Sequence, residues 1–96
     1  MSFGPVANEE FGATDLVLRQ VLQDALGLGL ERVAAFTAQT GLFGHLPELD
    51  SMAVAGLLTA IEDRLGIVIE DDDVDGEMLE TYGALLAFVE AKLGGD

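Results

Sequence analysis

Ninety-six residues make one domain, and a chain this short buries roughly 60–65% of its unfolded surface, which leaves one core and no room for a deep catalytic cavity. With 18 acidic and 4 basic side chains the net charge is −14. That balance excludes nucleic acid and anionic membrane surfaces as partners, since both need clustered Lys and Arg, and here Arg19, Arg32, Arg64 and Lys92 are scattered. Basic protein surfaces are the electrostatic complement. The absence of cysteine rules out a disulfide framework, thiolate chemistry and sulfur ligands for a metal. Residues 1–10 lack both the basic and the apolar stretch of a signal peptide. No apolar run approaches the roughly 20 residues that span a bilayer, so a cytoplasmic location without membrane insertion is expected.

Residues 1–13 mix Gly, Pro, Asn and Glu without periodicity and read as a flexible arm; its Phe3 and Phe11 either fold back onto the bundle or stay idle. Thr14 then offers an N-cap oxygen, with Asp15 in the first turn, where the helix dipole favours negative charge. Leu18, Val21, Leu22, Ala25 and Leu26 form one stripe of an amphipathic helix, widened by Leu16 and Val17. Gly27 and Gly29 end it. Residues 30–38 add a helical turn or two with Val33 and Phe36 inward. Gly41, Gly44 and Pro47 make 40–50 a loop, which Leu42, Phe43, Leu46 and Leu49 pin to the core.

The next helix is expected over 51–65, with Val54, Leu58, Ile61 and Leu65 as its inner row and Met52, Ala55 and Leu57 beside them; Gly66 stops it. Ile67-Val68-Ile69 is β-branched but has no strand to pair with, so it reads as an extended linker burying Ile67 and Ile69. Residues 71–76 form an acidic turn opening a short helix through Met78 and Leu79. The last helix, over 81–93, shows Leu85, Leu86, Phe88, Val89 and Leu93, then ends at Gly94-Gly95. Three main helices with minor turns make an all-α bundle.

Chemistry centres on Leu49-Asp50-Ser51-Met52, where the proline-containing loop turns into a helix. A nucleophilic serine needs a general base and an oxyanion hole. The single histidine, His45, lies six residues upstream in the loop, and no GxSxG elbow surrounds Ser51. Unaided, then, Asp50 or Ser51 is a helix cap, and no catalytic residue is expected.

The same four residues resemble the Asp-Ser-Leu signature of acyl carrier proteins, with Met52 at the leucine position. The segments around it follow that family's layout: a first helix, a long loop with Leu42-Phe43-Gly44, a helix ending Ile61-Glu62-Asp63-Arg64-Leu65-Gly66, an apolar linker, an acidic turn, and a closing helix from Thr81-Tyr82-Gly83-Ala84-Leu85. The resemblance covers roughly 14–93 and implies a small four-helix bundle, three main helices plus a short one, as the carrier domain. It implies that Ser51 receives 4′-phosphopantetheine from a phosphopantetheinyl transferase, that Asp50 assists, and that acyl groups ride on the arm as thioesters, as in fatty-acid and lipid biosynthesis. It also implies a non-enzymatic, monomeric carrier whose partners are acyl ligases, synthases or acyltransferases. Met52, Ala53, Gly56, Glu62 and Asp63 would face partners, and Met52, Ala55, Ile61, Ile67 and Leu79 would line an acyl pocket. Ala53 and Gly56 stand where many fatty-acid carriers have acids, which points to docking by shape and apolar contact. The stretches 46–54 and 88–93 look like stand-alone carriers of bacterial gene clusters, such as exopolysaccharide and exosortase systems. A peptidyl carrier holding aminoacyl groups is the alternative within the family.

A different class, an acidic helical adaptor or calcium-responsive module, is suggested by Asp71, Asp73, Asp75 and Gly76, which fit EF-hand loop positions one, three, five and six. The loop then fails, with Tyr82 at position twelve and Met78 at position eight, and no metal site is expected. A lone imidazole cannot build a zinc site, Gly27-Leu28-Gly29 lacks a phosphate-loop lysine, and Glu62 with Asp63 lacks a cleft. The charge itself has a consequence: a net −14 on one small domain is self-repulsive, so added salt or magnesium raises the melting temperature. Thermal melts at low and moderate salt check this, and an unchanged midpoint contradicts it.

Overall fold

The computed structural model describes residues 12–94. Its helices are α1 (Ala13–Leu26), α2 (Leu30–Ala34), α3 (Ser51–Leu65) and α4 (Tyr82–Leu93), with a 3-10 turn at Asp71–Asp73. Among the described residues there is no strand, and one isolated antiparallel bridge joins Gly41 to Thr81. This is the expected all-α bundle of three long helices and a short one. The arm expected over 1–13, with Phe3 and Phe11, lies outside the described residues except for Gly12 and Ala13.

α1 starts ahead of the expected cap. Leu16 N–H donates to the Gly12 carbonyl at 3.0 Å, so Gly12 is the N-cap, with no side-chain cap bond, and Thr14 stands inside the first turn. Leu18, Val21 and Leu22 are fully buried. In the last turn Leu26 is half-buried and Ala25 is exposed, which corrects the inward placement of Ala25. Gly27 and Gly66 close α1 and α3 in the left-handed conformation, with φ of 69° and 68°, a region glycine enters without a Cβ penalty.

α3 has the expected bounds but a different rotation. Leu57 and Ile61 are its fully buried residues, whereas Val54, Leu58 and Leu65 are half-buried and Met52 and Ala55 exposed. Ala53 and Ala60, which lie on the Leu57 side of the helix, pack against the core, as do the half-buried Val54, Leu58 and Leu65. The linker behaves as expected, with Ile67 and Ile69 half-buried around an exposed Val68.

The short helix expected through Met78 and Leu79 does not form. Asp75 Oδ1 accepts the Met78 N–H at 2.9 Å, a cap-like start, but the carbonyls of Leu79 and Glu80 accept Phe43 N–H and Leu42 N–H of the loop instead of continuing a helix; both Met78 and Leu79 are buried. Asp73 pairs with Lys92 of α4 at 2.6 Å, and that bond, with the Glu70 amide, holds its carboxyl below the usual range. Thr81 Oγ1 caps α4 by accepting the Ala84 N–H at 3.1 Å.

A polar cluster sits inside the apolar core. Arg19 and Asp15 are 7% and 9% exposed. Arg19 Nε donates to Asp15 Oδ1 at 2.7 Å, Nη1 to the carbonyls of Val33 (2.6 Å) and Ala34 (3.2 Å), and Nη2 to that of Phe36 at 3.0 Å. These carbonyls lie at and just beyond the end of α2, where a cation is favoured. The Tyr82 ring lies 4.8 Å from the guanidinium carbon and 5.6 Å from the Phe36 ring, and its hydroxyl donates to Asp15 Oδ1.

Burial, and then the hydrogen bond to Asp15, push the Tyr82 phenol far above its ordinary range. The folded-state value exceeds the unfolded one of about 10. The neutral phenol's contribution to stability is therefore fully present below about pH 10 and is lost as pH rises beyond it. Tyr82 is the chain's single tyrosine, so its absorbance reports the site alone. Phenolate is expected to appear only together with loss of helical circular dichroism, and ionisation near pH 10 in folded protein contradicts the geometry.

Candidate functional site

Ser51 is the first residue of α3 and is exposed. The cap before it belongs to Asp50, whose backbone is extended and whose Oδ1 accepts the Ala53 N–H at 2.8 Å. Among the described residues the Ser51 hydroxyl makes no hydrogen bond, so it stands free at the helix start.

Backbone pairing fixes the loop leading to it. Leu42 N–H and Phe43 N–H donate to the carbonyls of Glu80 and Leu79, both at 2.9 Å, and Tyr82 N–H donates to that of Thr40 at 2.8 Å. Leu42 and Leu49 are buried. Arg32 of α2 holds Glu48 through both oxygens, at 2.7 and 3.2 Å, and that bond keeps the Glu48 carboxyl below its usual range.

Two hollows meet at Ser51. On the loop side an open cleft of about 470 Å³ is bordered by residues 43–47 and by Leu49, Asp50 and Ser51. On the other side a mostly apolar groove of about 240 Å³ is bordered by Phe43, Ser51, Val54, Gly76 and Leu79. Phe43, expected as a core anchor, is 41% exposed and borders both.

Of the expected pocket residues, Leu79 alone borders this groove. Ile61 is sealed in the core, Met52 is 86% exposed, Ala55 is exposed, and Ile67 is half-buried in the linker without bordering the groove. Phe43, Val54 and Gly76 were not anticipated; the signal for Phe43 was its place beside Leu42 in the loop. Of the expected partner-facing residues, Met52, Gly56 and Asp63 are exposed. Ala53 instead packs on the core, and Glu62 is half-buried with its carboxylate accepting the Ile69 N–H at 2.7 Å.

His45 is exposed in the loop, as expected. No base is bonded to Ser51, and what the arrangement offers is an exposed hydroxyl to which a group can be attached. In the acidic turn, Asp73 and Asp75 are engaged by Lys92 and the Met78 amide. Among the described residues no three His, Cys, Asp or Glu are grouped to hold a metal ion, and no helix is long and apolar enough to cross a membrane.

A family model described as the phosphopantetheine attachment site matches residues 17–89. The chain is 34% identical over 76 residues to the acyl carrier protein MbtL of Mycobacterium sp. (strain MCS), covering 79% of each. It is also similar to the solution structure of holo acyl carrier protein NE2163 from Nitrosomonas europaea, at 44% identity and a TM-score of 0.74, over 80% of this chain and 92% of that one.

The capping geometry separates Asp50 from Ser51. Asp50→Ala removes the cap and is expected to cost about 0.5–2 kcal/mol, while Ser51→Ala leaves every hydrogen bond of the site in place and is expected to be near neutral. Denaturant melts of both variants check this, and a larger loss for Ser51→Ala contradicts it.

Proposed function

The chain belongs to the acyl carrier protein family, and on that premise we propose that Ser51 bears its prosthetic arm and that the protein presents acyl groups to partner enzymes. The prosthetic group is 4′-phosphopantetheine, and proteins of this family are carriers working with transferases and synthases, not catalysts. One observation carries the assignment of the residue: within the matched span 17–89 Ser51 is the only serine, and it stands exposed at the start of a 15-residue helix.

The site fits the group. Ser51 is exposed between two hollows, and among the described residues no hydrogen bond engages its hydroxyl. The first amides of α3 and the positive end of its dipole suit a phosphodiester. When bound, the arm supplies a thiol that holds the cargo as a thioester. Asp50, exposed beside Ser51 with Oδ1 in the cap, is assigned the assisting role during transfer. Residues 14–93 are the carrier domain.

The groove lined by Phe43, Val54 and Leu79 supports an acyl over an aminoacyl cargo, because an apolar chain gains by leaving water there. Met52, Gly56 and Asp63 form the partner-facing side of α3. The first ten residues of that helix carry no charge, which supports contact by shape and apolar area near Ser51.

Incubation with coenzyme A, magnesium and a broad-specificity phosphopantetheinyl transferase, followed by intact mass, tests the assignment. Wild type gains one phosphopantetheine and Ser51→Ala gains none. No gain in folded wild type, or a gain in the variant, overturns it.

A further inference from the structure

All four Lys and Arg side chains of this chain are engaged in ion pairs: Arg19 with Asp15, Arg32 with Glu48, Arg64 with Asp24 and Lys92 with Asp73. A negatively charged diester attached to a molecule of net charge −14 therefore meets no ready Lys or Arg. One cation-capable side chain borders the hollow on the loop side of Ser51, and it is His45.

His45 is held in place. A Cβ built on Gly41 would collide with the imidazole Cγ and Cδ2 of His45, so the ring rests on the bare backbone of that glycine. Gly41 is itself fixed by its bridge to Thr81, and the His45 N–H donates to the Leu42 carbonyl at 2.9 Å. A seated imidazole is a better partner for an anion than a freely rotating one, since less side-chain freedom is lost on contact.

We propose that the phosphate end of the arm lies in the cleft bordered by residues 43–47, Leu49, Asp50 and Ser51, hydrogen-bonded by the His45 imidazole. This rests on Ser51 as the attachment residue. The two hollows then have separate tasks: the loop side, where His45 stands across from the Asp50 carboxylate, holds the diester, and the more apolar side beside Val54 and Leu79 is left for cargo. An imidazole N–H donates to a diester oxygen in either protonation state, and the protonated ring adds charge attraction.

The test uses wild-type protein loaded as above, with loading established by intact mass, and His45→Phe loaded in the same way. In the wild type, nuclear Overhauser contacts are expected from the pantoyl methyl groups to the His45 ring and Pro47. The phosphorus resonance of the diester is expected to shift in His45→Phe, with loss of the methyl contacts to position 45. Methyl contacts to Val54 and Leu79 instead, or to neither side, in protein whose mass shows loading overturn the placement and leave Ser51 standing. Failure of wild type to load overturns the Ser51 assignment, and the placement with it.

Discussion

The guanidinium of Arg19 is the interaction on which the rest of this small bundle hangs. Taking a cation into a low-dielectric core costs several kcal/mol, and a single carboxylate rarely offsets it. Here Asp15 is joined by three backbone carbonyls at the end of α2 and by the face of Tyr82. The carbonyls benefit as well, because a five-residue helix has too few internal bonds to satisfy its own end. Removing the arginine would strand a buried carboxylate and several carbonyls, a loss on the order of 3–5 kcal/mol. For a domain of this size that is a large share of total stability.

The cluster also sets geometry at a distance. It joins α1, through Asp15 and Arg19, to the end of α2 and to the start of α4, through Tyr82. Tyr82 N–H in turn bonds the Thr40 carbonyl, and the pairing continues through Leu42 and Phe43 to Glu80 and Leu79. The chain thus reaches Ser51 along a loop fastened at both edges, so Phe43 is delivered to the boundary between the two hollows. A serine at the tip of an untethered loop would present the same hydroxyl without the hollows beside it.

Much of this was legible in the sequence where local chemistry decides. The bounds of α3 follow from Pro47, the cap at Asp50 and the stop at Gly66, and the structure agrees with all three. The ends of α1 and α4 at glycines were readable for the same reason. What depended on tertiary contact was not. Leu57 and Leu58 are neighbours of equal hydrophobicity, and only the packing of the folded helix buries Leu57 fully and Leu58 in part. Met78 and Leu79 are apolar enough for a helix, yet the carbonyls of Leu79 and Glu80 are taken by the loop amides of Phe43 and Leu42. Arg19 reads as a surface residue on any scale; the hint was its spacing of four from Asp15 and its place next to Leu18 in the buried stripe. The carrier layout and the serine were therefore visible early, whereas the hollow lining beside it required the rotation of α3.

Charge is the remaining thread. Each of the four permanent cations stabilises a joint of the fold: Arg19 the centre, Arg32 the loop before Ser51, Arg64 the contact of α3 with α1, and Lys92 the acidic turn against α4. Among the described residues, the exposed acids that remain have no cationic side chain of this chain as partner, so they confer solubility and attraction to basic surfaces over a range set by the Debye length. Close to Ser51 the character changes, since Met52, Ala53, Val54, Ala55 and Gly56 carry no charge. Long-range attraction and short-range fit are thus assigned to different parts of the surface. Beyond Asp50, Ser51 therefore opens onto a helix face without charge.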